Sequence, residues 1–159
     1  VTSEPFAVER EGGFKPDIFV IADAGFNTYA TLVETMQATI DEKPEVVKCF
    51  VEGSAIGWAN YLYGDPSLGN ALIQKQNPEM SSEQIAYSIE MMKEYGIVDS
   101  GDSIDLGIGA MTDETIKSFY DKMVESGVIA EGLDLSKVYT LDFANTGAAT
   151  PVKKKLLGE

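Results

Sequence analysis

The sequence predicts an α/β chain that is rich in helix, and three observations carry that expectation. Asp17-Ile-Phe-Val-Ile-Ala22 is an apolar, β-favouring run bounded by Lys15-Pro16 and Asp23-Ala-Gly25, as suits a buried strand. From Pro44 onward, apolar residues recur at three- and four-residue spacings, the pattern of amphipathic helices. A hydrophobic content of 44% over 159 residues is enough for a sizeable core.

Taken in order, the Asp17–Ala22 run is followed by a turn. Tyr29-Ala-Thr-Leu-Val-Glu34 carries β-branched residues and reads as a second strand, with the start of the following helix as the other reading. Val47, Phe50, Val51, Ala55, Trp58 and Leu62 then define one face of a helix about 18 residues long, with Pro44 in its first turn and Gly64 at its end. Asp65-Pro66 starts another helix that runs to Gln76 and stops at Asn77-Pro78. Ser81-Ser82-Glu83-Gln84 reads as a capping box that opens a third helix, buried along Ile85, Ile89 and Met92 and ended by Gly96. Thr112 to Thr115 opens a fourth, whose Ile116, Phe119, Tyr120 and Met123 share a face and whose C-cap is Gly127. A short helical turn is expected near Ser136, then an irregular tail. Four or five helices thus follow one or two strands, whereas a layered α/β domain alternates them around a sheet. That imbalance, and a first residue in mid-pattern, lead us to expect the C-terminal part of a larger protein.

Composition closes several function classes. The formal charge of −14, from 26 acids against 12 bases, argues against binding a phosphate backbone, which draws affinity from Lys and Arg. Lys153-Lys154-Lys155 reads as a solvated cluster near the C-terminus. There is no histidine, which removes the commonest general base, the Ser-His-Asp and Cys-His arrangements and the imidazole ligands of catalytic zinc. The single cysteine, Cys49, forms no internal disulfide and reads as a packing residue. No apolar run approaches the ~20 residues that span a bilayer, so direct membrane insertion is not expected. No catalytic residue, metal ligand or cofactor emerges from these patterns.

Several landmarks together resemble one family. Glu4-Pro5-Phe6, "ADAGFNTY", "IDEKPEVVKCFVEGSAIGWANYL", Asn77-Pro78 and "GIGAMTDETIKSFYDKMVESG" occur in this order along most of the chain. They resemble the C-terminal half of extracytoplasmic solute-binding proteins of ABC transporters, in the branch related to thiamine-pyrimidine binding and synthesis proteins. The resemblance implies the C-terminal portion of a two-lobed, periplasmic-binding-protein-like (type II) α/β fold. Residues 1–28 would finish the second lobe, 29–35 would cross the hinge as a strand, and 36–159 would belong to the first lobe. The N-terminal half, with most of the first lobe's sheet, would lie outside this chain. A small heteroaromatic, pyrimidine-like solute and an ABC transporter permease are the implied partners, and the implied location is extracytoplasmic, periplasmic or membrane-associated.

The candidate ligand-binding residues are Glu4, Asp23, Phe26, Asn27 and Tyr29. Glu4 precedes Pro5, whose geometry favours an extended residue, and its carboxylate can accept hydrogen bonds from heterocycle amino groups; an ordinary surface glutamate is the other reading. Asp23, Phe26, Asn27 and Tyr29 lie where the predicted strand ends, where α/β sheets commonly bind ligands. There aromatics supply stacking faces and Asp or Asn fixes orientation. Turn chemistry and core packing account for the same residues. Trp58 reads as core because it shares its helical face with Val51, Ala55 and Leu62. Gly107-Ile-Gly109 lacks the third glycine and preceding strand of a nucleotide loop, while Asp99, Asp102 and Asp105 lack calcium-loop spacing and read as solvated. Two other functions stay open: a pyrimidine-synthase-like enzyme of the same superfamily, and an interaction module without ligand.

Overall fold

The computed structural model describes residues 1–159 and contains helices and loops but no strand. Eight α-helices follow in order: α1 (Glu4–Gly12), α2 (Gln37–Glu42), α3 (Pro44–Tyr63), α4 (Ser67–Gln76), α5 (Ser82–Glu94), α6 (Ser103–Leu106), α7 (Asp113–Glu125) and α8 (Thr150–Leu157). Short 3-10 turns occupy Ile21–Ala24 and Leu135–Lys137. The expected α/β, two-lobed binding-protein architecture is therefore corrected to an all-helical one, and no hinge-crossing strand is present at 29–35.

The reason is backbone pairing. A strand exists only when its N–H and C=O groups meet a neighbour's, and residues 14–19 and 27–35 make no backbone–backbone hydrogen bond. Asp17–Ala22 has the composition of a strand and nothing to pair with; instead Val20 is extended and Ile21–Ala24 closes into a 3-10 turn ended by Gly25 at φ 92°. Tyr29–Glu34 is likewise irregular, broken by Thr31 at φ 58°, a left-handed value that a β-branched residue adopts only at a cost.

The four longest helices, α3, α4, α5 and α7, follow the sequence, whereas α1, α2 and α6 were not expected and the tail expected to be irregular forms α8. Pro44 occupies the first turn of α3, where its missing N–H is no loss. Asp65 Oδ1 accepts from the Ser67 N–H at 2.9 Å, capping α4. Ser81 Oγ accepts from the Gln84 N–H at 3.1 Å at the start of α5, which supplies the serine half of the capping box. Thr112 does the same for α7 through the Thr115 N–H at 3.2 Å.

Two small apolar clusters hold these helices together. Ala55, Ala59, Ile108 and Ala149 join α3 to the start of α8 and the loop after α6, with Val98 and Val152 against them. Leu62, Ile85 and Ile89 join the end of α3 to α5, flanked by Tyr61, Ile73, Met80 and Met92. The buried face of α3 is thus Val47, Ala55, Ala59 and Leu62, and two residues assigned to it lie outside: Phe50 is 61% exposed and Trp58 39%. Trp58 sits at the edge of the stripe with its ring edge-on to Tyr61. Cys49 is exposed rather than packed. α1 docks on α5 through the Phe6–Tyr87 ring pair and through the Ser88 hydroxyl, which donates to the Thr2 carbonyl at 2.6 Å.

The accessible surface is 11044 Å², against about 7,800 Å² for a compact monomer of this mass. Much of the excess is apolar: Phe14, Phe19, Ile21, Leu32, Val33 and Met36 of the irregular segment are all exposed, Phe19 at 90%. No helix is long and apolar enough to cross a membrane.

Candidate functional site

The segment from Asp23 to Tyr29 carries four of the five predicted ligand-binding residues, and it is fixed to α7 at two points. Near its start, Gly25 turns the chain in the left-handed region, which a Cβ would strain, and its carbonyl accepts from Lys122 Nζ of α7. At its end, the Tyr29 hydroxyl donates to Asp102 Oδ2 and accepts from the Thr112 N–H at 2.9 Å. Between these points Phe26 and Asn27 are exposed, as is Asp23 just before them.

The Tyr29 anchor is a closed polar cluster. Asp102 Oδ2 receives the Tyr29 hydroxyl, the Thr115 hydroxyl at 2.8 Å and the Thr112 hydroxyl at 3.2 Å. Hydrogen bonds to a charged acceptor favour the charged form, and those from Tyr29 and Thr115 hold the Asp102 carboxyl below its ordinary range, with a smaller contribution from Thr112. The Thr112 N–H is one of the free donors of the α7 N-terminus, so the phenol oxygen of Tyr29 satisfies a group that water would otherwise cover. The adjoining strand of loop is braced by Asn145, whose Oδ1 accepts from the Met111 N–H at 2.9 Å and whose Nδ2 donates to the Met111 carbonyl at 2.7 Å.

Asp23, Phe26 and Asn27 therefore stand on one short anchored loop and make no side-chain hydrogen bond, ion pair or ring pair, while the Tyr29 hydroxyl is committed to the anchor. A carboxylate acceptor, an aromatic face and an amide that both donates and accepts are the groups that can bind a flat, polar-edged molecule. Glu4 is elsewhere: it begins α1 rather than standing extended, with Pro5 beside it in the first turn, and α1 packs on α5. Its own backbone N–H, then the Ser3 hydroxyl and the Val1 ammonium, hold its carboxyl below the ordinary value. No hydrogen bond or ion pair joins Glu4 to the loop; its one ion pair is with the Val1 ammonium at 3.6 Å.

Sequence reasoning missed the residues that hold the loop. Asp102, read as solvated, lies 73 positions from Tyr29, and no local pattern connects them. Lys122 is 97 positions from Gly25. Thr112 was legible as a cap, and only its second role, presenting an N–H to Tyr29, was hidden. Asp99 was also read as solvated, yet its side chain is buried against Tyr63 and Lys153. Three or more His, Cys, Asp or Glu side chains placed to hold a metal ion occur nowhere in the chain.

Comparison of the chain with protein-family models, curated proteins and solved structures finds no match.

Proposed function

We propose that the chain is a non-catalytic solute-binding component, one that captures a small heteroaromatic, pyrimidine-like compound for an ABC importer outside the cytoplasm. The observation that carries this reading is the loop from Asp23 to Tyr29, held at Gly25 and Tyr29 by α7 while Asp23, Phe26 and Asn27 remain open. Holding a loop by its backbone and one hydroxyl, rather than by its other side chains, lowers the entropy lost on binding and leaves those side chains for a ligand. Phe26 then stacks on the ring, Asp23 accepts from ring amino groups, and Asn27 meets a neighbouring acceptor or donor. The motif resemblance supplies the transport context, and the fold it implied is not part of this proposal. Glu4 is not used, because it stands on a helix packed elsewhere.

The experiment is a heteronuclear NMR titration of the chain with 4-aminopyrimidine and cytosine, with benzenesulfonate as an aromatic of opposite edge chemistry. Saturable shifts in residues 23–29, weakened by Phe26→Ala and by Asp23→Ala, are expected for the aminopyrimidines alone. Absence of saturation for both aminopyrimidines at millimolar concentration would end the reading. A second reading, an interaction module that binds no solute, is favoured by the accessible surface of 11044 Å², which leaves large apolar side chains in water. It predicts no aminopyrimidine response and a partner that protects residues 14–36 from exchange.

A further inference from the structure

α3 is apolar on two opposite faces, and the fold covers only one of them. Val47, Ala55, Ala59 and Leu62 are buried. On the other side Val46, Phe50, Gly53 and Gly57 follow one another at four- and three-residue spacings, and all four are exposed, Val46 at 59% and Phe50 at 61%. None of them carries a charge, in a chain of formal charge −14, and the charged residues of this stretch, Glu45, Lys48 and Glu52, lie off the stripe. A surface helix turns polar and charged residues to water, whereas a helix that is apolar all round is one that is buried. The stripe also has relief. Phe50 stands out from it, while a Cβ added at Gly53 or Gly57 would meet nothing within 4 Å, so the helix surface is hollow and open there.

We propose that a second copy of this chain covers the stripe, in a two-fold homodimer built on an antiparallel crossing of the two α3 helices. A two-fold axis beside Gly53 sets Phe50 of each copy over Gly57 of the other, so the knob and the hollow that docking needs are both present on one surface. That self-complementarity selects a copy of the chain over a foreign partner. Antiparallel helices also bring opposite dipole ends together. Charge agrees, because two acidic copies repel and this stripe is where they can meet without placing like charges face to face. The area is sufficient: the chain exposes roughly 3,200 Å² more than a compact monomer of its mass, several times the ~800 Å² that each partner of a standard interface buries. The stripe stands on a 20-residue helix, so little ordering entropy is lost on docking. This interface does not use the loop at Asp23–Tyr29 and does not rest on the function proposed for it.

The test is sedimentation equilibrium of the full chain from about 1 μM to about 0.2 mM in ~0.15 M salt, which screens the like charges of the two copies. The parent is expected to form a species of twice the 17.2 kDa chain mass. Phe50→Glu is expected to weaken the dimer about thirtyfold or more. Gly57→Gln fills the hollow from a position with open space around it and replaces a poor helix former, so it is expected to weaken the dimer while melting no lower than the parent at dilute concentration. Below the dissociation constant Phe50 is exposed as in the single chain, so the melting temperature of the parent is expected to rise with concentration and that of Phe50→Glu to stay constant. Mild oxidation is expected to cross-link two copies through Gly53→Cys in a Cys49→Ser background, and not through the native Cys49, which an antiparallel crossing sets apart. A chain that stays monomeric throughout this range, a dimer that both Phe50→Glu and Gly57→Gln leave at full strength, or cross-linking through Cys49 alone would overturn the proposal.

Discussion

Tyr29 shows how a residue chosen for one role can serve a neighbouring one. Its position at the end of an apolar run pointed to a ligand contact, and its hydroxyl is instead taken by Asp102 and the Thr112 N–H. Tyr29→Phe removes both bonds and leaves the α7 N-terminus short of an acceptor, a loss of about 1–3 kcal/mol measurable by urea denaturation at neutral pH. The same variant carries a pH signature. Asp102 titrates lower in the folded chain than in the unfolded one, so its contribution is complete above the ordinary carboxylate range and vanishes as pH falls through the lowered folded value. The stability gap between Tyr29→Phe and the parent chain is accordingly expected to narrow in strong acid, leaving the part due to the Thr112 N–H. Tyr63 gives the opposite case: burial first, then its bond to the Asp99 carboxylate, raise its phenol to about 12. Because the folded value is raised, the stability linked to this proton is intact below about 10, the unfolded value, and is lost as pH climbs towards the folded one. Ultraviolet titration is expected to show a late-ionising tyrosine component that disappears in Tyr63→Phe.

At the scale of elements, the four longest helices were legible while the short ones and the absence of strands were not, for a physical reason. A helix closes its hydrogen bonds within itself, so Pro44, Ser81, Thr112 and the spacing of Ile85 and Ile89 suffice to announce one. A strand closes them with a neighbour, and Asp17–Ala22 holds no information on whether that neighbour exists. The face of α3 was legible in part. Val47, Ala55 and Leu62 are buried as their spacing requires, but the periodicity also drew in Phe50, because it weighs hydrophobicity and is blind to how narrow the neighbouring helix leaves the contact. That contact is made of small residues: Ala59 and Ala149 are almost wholly buried where α3 meets α8. Ala59→Leu is expected to overpack this crossing and cost about 1–3 kcal/mol, whereas Phe50→Ala, on the exposed face, is expected to cost well under 1 kcal/mol. Parallel thermal melts of the two variants check the pair, and a larger loss from Phe50→Ala would show the packing of α3 to be misassigned.

Across the whole molecule, apolar surface is distributed unevenly: α3, α5 and α8 enclose the two small clusters, while residues 14–36 present large apolar side chains on a backbone whose internal hydrogen bonds are confined to the turn at residues 20–26. Hydrogen exchange is expected to follow this division, fast through 14–20 and 27–36 and slowest in the middle of α3 and α5. The candidate site was legible as a set of residue types and illegible as an assembly, because what fixes it, Asp102 and Lys122, is remote in the chain and ordinary in context. The account stands on the claim that α7 holds the loop from Asp23 to Tyr29 so that Asp23, Phe26 and Asn27 are left for a heteroaromatic ligand. The most direct measurement is the affinity of 4-aminopyrimidine for the parent chain, for Phe26→Ala and for Asp102→Asn, with amide shifts of residues 23–29 as the readout. Saturable binding that Phe26→Ala abolishes and Asp102→Asn weakens is the expected result. Saturable binding that neither substitution changes would contradict the claim.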